Sequence, residues 1–205
     1  MDAGKLIIVG AGGLGREYAT WAKAAGFEVT GFLDRDSNAL QGTRCSLPIL
    51  GNEDDYEFAP DDRCILALGD PKVRARVAES LVSKVEFATV IHPAAIVGDD
   101  CRIGHGTVVC PGAVLTADVD VGIHAVINIG AVLGHDVTMG DFCTLCPHAD
   151  IMGHVTLGDS VFLGTQAVII PSMTIGDSAI VGAGAVVIRP VAEGATVVGN
   201  PAKPL

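Results

Sequence analysis

Residue types able to do chemistry gather in two stretches of the 205-residue chain. Near the start, Gly10, Gly12 and Gly15 follow an apolar run in a G-x-G-x-x-G spacing. This spacing is typical of a loop whose amides hold a phosphate at a helix N-terminus. In the second half, His135 and Asp136 are adjacent, and a carboxylate beside an imidazole increases its basicity. The sequence therefore offers a phosphate-binding loop and an acid–base pair.

The glycine loop could belong to a dehydrogenase, because Asp34 lies at the distance expected of a ribose-binding carboxylate. The elements around it argue against this interpretation. Apolar runs and caps predict strands over Lys5–Val9, Phe27–Leu33, Cys64–Leu68 and Val85–Val90, and helices over Gly13–Ala25 and from Asp70-Pro71 to about Ser83. This small parallel α/β sheet lacks the second half that binds a dinucleotide. We therefore expect no hydride transfer.

The second half of the chain repeats with a period of six residues. A strict hexapeptide period is typical of a parallel β-helix, in which the aliphatic position points inward. A mostly small residue precedes each aliphatic one by two positions, and glycine often follows it. The sixteen aliphatic positions are Val97, Ile103, Val109, Leu115, Val121, Ile127, Leu133, Met139, Leu145, Ile151, Leu157, Leu163, Ile169, Ile175, Val181 and Val187.

Six segments, in this order along the chain, are typical of one protein family: "GAGGLGRE", "FLDRD", "PILGN", "IHPAAIVGD", "INIGAVLGHDVTMGDF" and "VVGNPAKPL". Together they resemble hexapeptide-repeat acyltransferases of the sialic acid O-acyltransferase and nucleotide-linked 4-amino-sugar N-acetyltransferase family. The resemblance covers nearly the whole chain. It implies a Rossmann-like nucleotide-sugar-binding domain at residues 1–90 and a left-handed parallel β-helix with a C-terminal tail at residues 91–205. The glycine loop would then hold a nucleotide-linked sugar instead of NAD.

Three hexapeptides make one coil in this family, so residues eighteen apart stack along an edge. Gly153 is thereby expected directly over His135, and His154 over Asp136. His135 would take the proton of an attacking amine or hydroxyl, and Asp136 would raise its basicity. The Gly153 amide would stabilise the tetrahedral intermediate. The resemblance assigns these same three roles, which makes acetyl-CoA the expected co-substrate.

The resemblance also implies two sets of ligand contacts. The nucleotide sugar is expected on the backbone of Gly12, Gly13 and Leu14, with Asp34 and Arg35 at its base or ribose end and Gly51 beside them. Acetyl-CoA is expected near Thr144, Gly153, Thr165 and Ala183, with the tail from Gly199 to Lys203 over its nucleotide end. Relatives often have histidine where Leu14 and Thr144 stand. Leu14 in place of histidine changes the expected contacts with the sugar. With Thr144 in place of histidine, a hydrogen bond to the acetyl donor is made by a hydroxyl or is lost.

Three functions are compatible with these residues. The first is N-acetylation of the amino group of a nucleotide-linked 4-amino-4,6-dideoxy sugar, and the second is O-acetylation of a sialic acid or related sugar. The third is a non-catalytic β-helix that binds nucleotide sugars or acts as a scaffold. The nucleotide-binding domain favours the first function. The presence of His135, Asp136 and Gly153 on one edge counts against the third.

Charge and composition exclude other classes. The net charge of −11 argues against nucleic acid and anionic membrane surfaces as partners. Residues Met1–Lys5 do not read as a signal peptide, and no apolar run reaches the length of a membrane span. The six scattered cysteines suit a reducing compartment, so a cytoplasmic location is expected.

No metal site is expected. Cys143 and Cys146, with His148 and His154 nearby, have a zinc-like spacing. The repeat predicts that the two thiols diverge, because Cys143 occupies an inward position and Cys146 follows an inward leucine. Of the remaining histidines, we expect His92 at the domain junction and His105 and His124 in solvated turns.

A homotrimer is the expected assembly. The register is unbroken from Val97 to Val187, so no long loop inside the β-helix can form the second wall of a cleft. A regular prism with apolar faces favours association in a closed symmetry. The family resemblance specifies three subunits, with an active site between each pair.

Overall fold

The first part of the chain folds into a five-stranded parallel sheet with two helices. The computed structural model describes residues 5–205, so the expectation about a leader, at Met1–Lys5, falls almost wholly outside it. The strands lie in the order β3-β2-β1-β4-β5, which places the reversal of strand order beside β1. The elements are β1 (Lys5–Val9), α1 (Gly13–Ala24), β2 (Glu28–Leu33), β3 (Ile49–Gly51), β4 (Asp62–Leu66), α2 (Pro71–Leu81) and β5 (Glu86–Phe87).

Local sequence signals account for both helices. The α1 helix begins directly after the glycine loop, and Gly26, at φ +91°, follows its C-terminal end. In α2, the Asp70 carboxylate accepts hydrogen bonds from the amides of Lys72 and Val73, and Pro71 occupies the first turn. The helix predictions are confirmed, with ends within about two residues.

The predicted strands need two corrections. The short edge strand β3 was missed, because three residues give too short a pattern to read. The predicted strand Val85–Val90 is two separate elements: Glu86–Phe87 ends the first sheet, and Val90–Ile91 is the first strand of the β-helix. The change of architecture therefore takes place within a few residues.

The rest of the chain winds into a three-sided parallel β-helix, as predicted. Its first face contains β6 (Val90–Ile91), β9 (Val108–Val109), β12 (Val126–Ile127), β15 (Thr144–Leu145), β18 (Phe162–Leu163), β21 (Ile180–Val181), β23 (Thr196–Val198) and the antiparallel β24 (Lys203–Pro204). The second face contains β7 (Ile96–Val97), β10 (Val114–Leu115), β13 (Val132–Leu133), β16 (Asp150–Ile151), β19 (Val168–Ile169) and β22 (Val186–Val187). The third contains β8 (Arg102–Ile103), β11 (Asp120–Val121), β14 (Thr138–Met139), β17 (Thr156–Leu157) and β20 (Thr174–Ile175).

Each coil repeats the one before it in register. Leu115 pairs with Leu133 and Leu133 with Ile151, so residues eighteen apart are stacked. These aliphatic side chains fill the centre of the prism and are buried. One corner also carries a ladder of carboxylates, in which the amides of Asp141 and Asp159 each donate to the aspartate one coil later, at 2.8 and 2.9 Å. The hexapeptide prediction is confirmed coil by coil.

The sheet domain packs on the first face of the β-helix. Val90, Val108 and Val126 point outward from that face and are buried together with Tyr18 and Ala19 of α1. In residues 5–205, no helix combines the length and the apolar character needed to cross a membrane. The two domains therefore share a continuous apolar contact, which fixes the glycine loop relative to the β-helix.

Candidate active site

The acid–base pair lies at an exposed corner between β13 and β14. Asp136 adopts a left-handed backbone conformation, with φ +58°, which turns its carboxylate back toward the preceding side chain. Its Oδ2 lies 2.7 Å from Nδ1 of His135. Both side chains are open to solvent, with exposed fractions of 60% for His135 and 45% for Asp136. The predicted contact between imidazole and carboxylate is present.

Gly153 lies directly against the His135 ring. A Cβ atom on Gly153 would come within 2.6 Å of both Cε1 and Nε2 of that ring, so a larger residue would displace the imidazole. Among residues 5–205, the Gly153 amide donates no hydrogen bond, whereas its carbonyl accepts one from Ser172 at 3.0 Å. A residue with an unpaired amide therefore lies against the imidazole.

A second histidine completes the corner. Nδ1 of His154 lies 3.6 Å from Oδ2 of Asp136, and its ring meets the His135 ring edge to face with centroids 5.0 Å apart. The His154 amide donates to the His135 carbonyl at 3.0 Å, which ties the two coils together. The predicted stacking of His154 on Asp136 is thus present, and both imidazoles face one carboxylate.

The corner favours an ionised carboxylate. The hydrogen bond from His135 is the main cause that lowers the pKa of Asp136; desolvation opposes it, and the charges of His154 and His135 lower the pKa further. An ionised Asp136 holds the proton of the His135 ring on Nδ1. The lone pair is then on Nε2, on the side of the ring that faces Gly153. This tautomer can accept a proton beside a free amide donor.

A cavity of about 200 Å³ lies at the C-terminal ends of β1 and β2. This is the edge where strand order reverses and where parallel α/β sheets bind ligands. Among the ten residues that line it are Gly10, Asp34, Arg35, Glu53, Leu68 and Arg76. Asp34 and Arg35, two of the predicted substrate residues, therefore line a cavity at the sheet edge where a ligand is expected.

The glycine loop is built to leave backbone amides open. A Cβ on Gly15 would overlap the carbonyl oxygen of Gly10, so helix and loop touch there. On Gly12 and Gly13, by contrast, an added Cβ would meet no atom within 4 Å. The start of α1 is therefore free to receive an anion, and a helix N-terminus favours one.

Asp34 organises this loop from the next strand. Its Oδ2 accepts a hydrogen bond from the Ala11 amide at 2.8 Å, and its Oδ1 accepts one from the Asp36 amide at 2.9 Å. Its own amide donates to the carbonyl of Gly51 at 2.9 Å, which places Gly51 beside it as predicted. The carboxylate therefore positions the backbone of the glycine loop.

Two other predicted nucleotide residues have partners of their own. Arg35 forms ion pairs of 2.9 Å with both Glu53 and Asp54, so its charge is already balanced. The side chain of Leu14 packs on the apolar core under α1, which leaves only its backbone for a ligand. Arg76 on α2, which belongs to no recognisable motif, is an exposed cation at the rim of the same cavity.

The four residues predicted to bind acetyl-CoA lie in three places on one chain. Gly153 is at the corner between the second and third faces. Thr165 and Ala183 are exposed at the corner between the first and second faces, where the Gly184 amide donates to the Thr165 carbonyl at 2.9 Å. Thr144 is buried on the first face, with its hydroxyl 2.9 Å from a guanidinium nitrogen of Arg74. The structure does not bring these residues together within one chain.

The tail lies at the end of the first face. Lys203–Pro204 pairs antiparallel with Thr196–Val198, and the Ala202 amide donates to the Val186 carbonyl at 2.8 Å. The tail therefore stands at the same end of the β-helix as Ala183. Its predicted contact with the nucleotide end of CoA stays a prediction.

His124 differs from the sequence-based expectation. It was expected in a solvated turn, but only 2% of its surface is exposed. Its ring stacks on Phe142 at 5.1 Å and meets Phe87 edge to face at 4.4 Å. Burial, together with the charges of His105 and Arg74, lowers the pKa of His124 to about 4. The sheet domain covers this corner, which a repeat pattern within the β-helix cannot reveal.

The remaining histidines and cysteines follow expectation in part. His92 packs edge to face on Trp21 of α1 at the domain junction, and His105 is exposed. Cys143 is buried and its thiol contacts the Gly158 carbonyl at 3.0 Å. Within residues 5–205, the one group of histidine, cysteine and acidic side chains close enough to share a metal ion is His135, Asp136 and His154.

Comparison with known proteins found a matching family model and several similar solved structures. Residues 5–81 match the family model of the PglD N-terminal domain. The whole chain is similar to PerB from Caulobacter crescentus, solved in complex with CoA and GDP-perosamine, with 32% identity over 98% of this chain and 97% of that one, and a TM-score of 0.91. The chain has the same identity to histidine variants of a perosamine N-acetyltransferase from Caulobacter crescentus, also solved with CoA and GDP-perosamine.

Two further structures are similar over their full length. The acetyltransferase domain of PglB from Neisseria gonorrhoeae has 32% identity over 98% of this chain and 99% of that one, with a TM-score of 0.91. WeeI from Acinetobacter baumannii has 31% identity over the same shares, with a TM-score of 0.86. The PglB domain was also solved with acetyl coenzyme A. A search of the curated proteins found no match.

Proposed function

Because the chain belongs to the family of hexapeptide-repeat acyltransferases that act on sialic acids and nucleotide-linked 4-amino sugars, we propose that it acetylates a nucleotide-linked 4-amino-4,6-dideoxy sugar. Acetyl-CoA is the donor, and the amino group of the sugar is the acceptor. The observation that carries this proposal is the corner at which the His135 imidazole, in contact with Asp136, lies against Gly153, whose amide is free. The likeness to a protein solved with CoA and GDP-perosamine supports the choice of acceptor.

The reaction needs one proton acceptor and one amide donor. As the amine nitrogen bonds to the thioester carbon, Nε2 of His135 takes a proton from the amine. The Gly153 amide donates to the oxygen on which negative charge develops. The C–S bond then breaks, the carbonyl re-forms as an amide, and the CoA thiolate receives the proton from His135. Asp136 positions the imidazole and balances its charge during the transfer.

The acceptor sugar is held by the sheet domain. Its pyrophosphate lies on the open amides of Gly12, Gly13 and Leu14, where no side chain blocks the helix N-terminus. The base or ribose occupies the cavity lined by Asp34 and Arg35, next to Gly51. Arg76, at the rim of that cavity, supplies a cation in a strongly acidic protein.

The donor site is shared between subunits of a homotrimer. His135 and Gly153 occupy one corner of the prism, and Thr165 and Ala183 occupy another, so two chains are needed to place both sets around one acetyl-CoA. Exposed apolar side chains on the β-helix support such a contact, among them Met152, Ile180 and Ile188. Thr144 is left out of this proposed donor site, because Arg74 already occupies its hydroxyl.

A panel of acceptors tests the proposal. Purified enzyme is incubated with acetyl-CoA and either nucleotide-linked 4-amino sugars, their 4-hydroxy counterparts or sialic acids, and acetylated product is measured by mass spectrometry. Acetylation confined to amino sugars supports the proposal, whereas transfer only to sialic acid hydroxyls would establish an O-acetyltransferase. Light scattering coupled to gel filtration tests the trimer, and a fully active monomer at assay concentration would refute the shared site.

A further inference from the structure

We propose that His135, Asp136 and His154 form a binding site for a divalent transition-metal ion such as Zn²⁺, and that the bound ion inhibits the enzyme. The binding part of this inference is independent of the proposed function. The inhibition part depends on it, because it requires His135 to act as the base.

The three side chains already offer a zinc-like set of ligand atoms. One ligand atom from each residue lies within 4.8 Å of the other two. Nδ1 of His135 is 2.7 Å from Oδ2 of Asp136, and Nδ1 of His154 is 3.6 Å from the same oxygen. Ligands about 2.0–2.2 Å from a tetrahedral zinc ion are roughly 3.3–3.5 Å apart. All three side chains are exposed, so they are free to rotate toward these distances.

The backbone holds the ligands close together. His154 has a left-handed conformation, with φ +59°, one coil after Asp136 at φ +58°. The hydrogen bond of 3.0 Å from the His154 amide to the His135 carbonyl fixes the spacing of the two coils. The site is thus prepared before an ion arrives, and only exposed side chains have to move.

The donor types select borderline metal ions over Mg²⁺ or Ca²⁺. Two imidazoles and one carboxylate suit Zn²⁺, Ni²⁺ or Cu²⁺. Three protein ligands leave one position for water, and the exposure of the corner allows water and ions to enter. The Cys143 thiol does not compete, since burial raises its pKa to about 12.

Metal binding would remove the base. The ion takes the lone pair of Nδ1 of His135, so the proton of the neutral ring moves to Nε2. Nε2 then carries hydrogen and cannot accept a proton from the amine. The ion also takes Asp136, whose negative charge otherwise stabilises the protonated imidazole. The bound metal is therefore an inhibitor, and removing it restores the tautomer needed for transfer.

A binding experiment tests the site without any activity measurement. The full-length, chelator-treated protein is titrated with Zn²⁺ in competition with a chromophoric chelator, under reducing conditions. We expect one Zn²⁺ per chain. His154→Gln should weaken binding by more than about tenfold, because loss of an outer-shell partner already costs about that much and His154 is a direct ligand. His148→Gln is the matched control, since His148 has the same corner conformation, φ +59°, in another column. Failure to bind one equivalent, or equal affinity in His154→Gln, would overturn the site.

The inhibition experiment follows acetylated product by mass spectrometry, because Zn²⁺ also binds the released thiol of CoA. The metal-free enzyme should lose activity as Zn²⁺ is added and regain it with excess chelator. The concentration for half-inhibition should rise in His154→Gln by the factor seen in the binding experiment. An active enzyme that stays fully active when saturated with Zn²⁺ refutes inhibition. A metal-free enzyme inactive with every acceptor refutes the proposed function instead, while the binding result stands.

Discussion

A guanidinium nitrogen of Arg74 donates a hydrogen bond of 2.9 Å to the hydroxyl of Thr144, joining helix α2 to the first face of the β-helix. The same side chain donates to the carbonyls of His124 and Phe142, at 2.9 and 2.6 Å, and to that of Leu68. Only 1% of Arg74 is exposed. The buried Arg74 guanidinium thus links the two domains through hydrogen bonds to carbonyl and hydroxyl oxygens.

Replacing Arg74 with methionine should destabilise the protein. The change leaves several buried carbonyls without a donor, and each unpaired buried group costs about 1–3 kcal/mol. We expect a loss of about 3 kcal/mol or more, which lowers Tm by roughly 6–12 °C in a chain of this size. Calorimetry measures the shift. Arg76→Met, on the exposed side of the same helix, is the control and should move Tm by less than about 2 °C.

His135→Ala should lower turnover by about 10²–10⁴-fold while the fold survives, because the side chain is exposed and contributes little packing. Turnover is measured as acetylated product at saturating acetyl-CoA, and circular dichroism checks folding. His148→Ala, at an equivalent corner position in another column, should keep near-normal turnover. Normal turnover in a folded His135→Ala enzyme would remove His135 from the mechanism.

Asp136→Asn should change the pH dependence of the reaction. The His135 contact lowers the pKa of Asp136, so the carboxylate is charged throughout the working range. Loss of this charge makes the protonated imidazole less stable. The imidazole of the variant therefore stays unprotonated, and able to act as a base, down to a lower pH than that of the wild type. The acid limb of the kcat/KM profile should therefore move to lower pH in the variant, with a reduced plateau. An unchanged profile would show that Asp136 does not act through His135.

Two substitutions in the glycine loop should have different effects, one on affinity for the nucleotide sugar and the other on stability of the fold. Gly13→Ala places a methyl group in open space at the start of α1, where we place the pyrophosphate. Its stability should be unchanged, and its affinity for a nucleotide sugar should fall at least tenfold (about 1.4 kcal/mol) in calorimetry. Gly15→Ala should instead unfold the domain, because its methyl group overlaps the Gly10 carbonyl. Tight binding of NAD by the wild type would contradict our interpretation of this loop.

His124 should make stability depend on pH. Its folded-state pKa is about 4, against about 6.5 in the unfolded chain, so the unfolded state binds the proton more readily. The stabilisation is complete above pH 6.5 and is lost as the pH falls from 6.5 to about 4. His124→Phe keeps a ring in the stack and removes this contribution. Thermal unfolding from pH 4 to 7 should therefore show a smaller loss of Tm in the variant than in the wild type; equal losses would refute the assignment.

The β-helix and its corner could be predicted because their pattern is periodic. An inward position every six residues and a stacked position every eighteen are properties of the covalent sequence, so Gly153 over His135 follows from counting. The contact of His135 with Asp136 follows from adjacency. Local signals of this kind need no knowledge of tertiary packing.

The junction between the domains could not be predicted in this way. Arg74 occupies the apolar stripe of α2 with Pro71, Val77, Ala78 and Leu81, and that position was the one available signal of its burial. His124 is buried by a domain distant in sequence. Contacts between the sheet domain and the β-helix do not repeat along the chain, so no sequence pattern predicts them. For this reason the burial of both residues was not predicted.

The stacked register restricts how the length of this chain can change. Deleting six residues keeps every inward position aliphatic, but it rotates all later coils by one third of a turn. Thr165 and Ala183 would then stand on a different edge relative to His135, although the core would fill as before. Deleting eighteen residues, which is one whole coil, would shorten the prism without rotating the later coils. Viable insertions and deletions in such a protein should therefore come in whole coils.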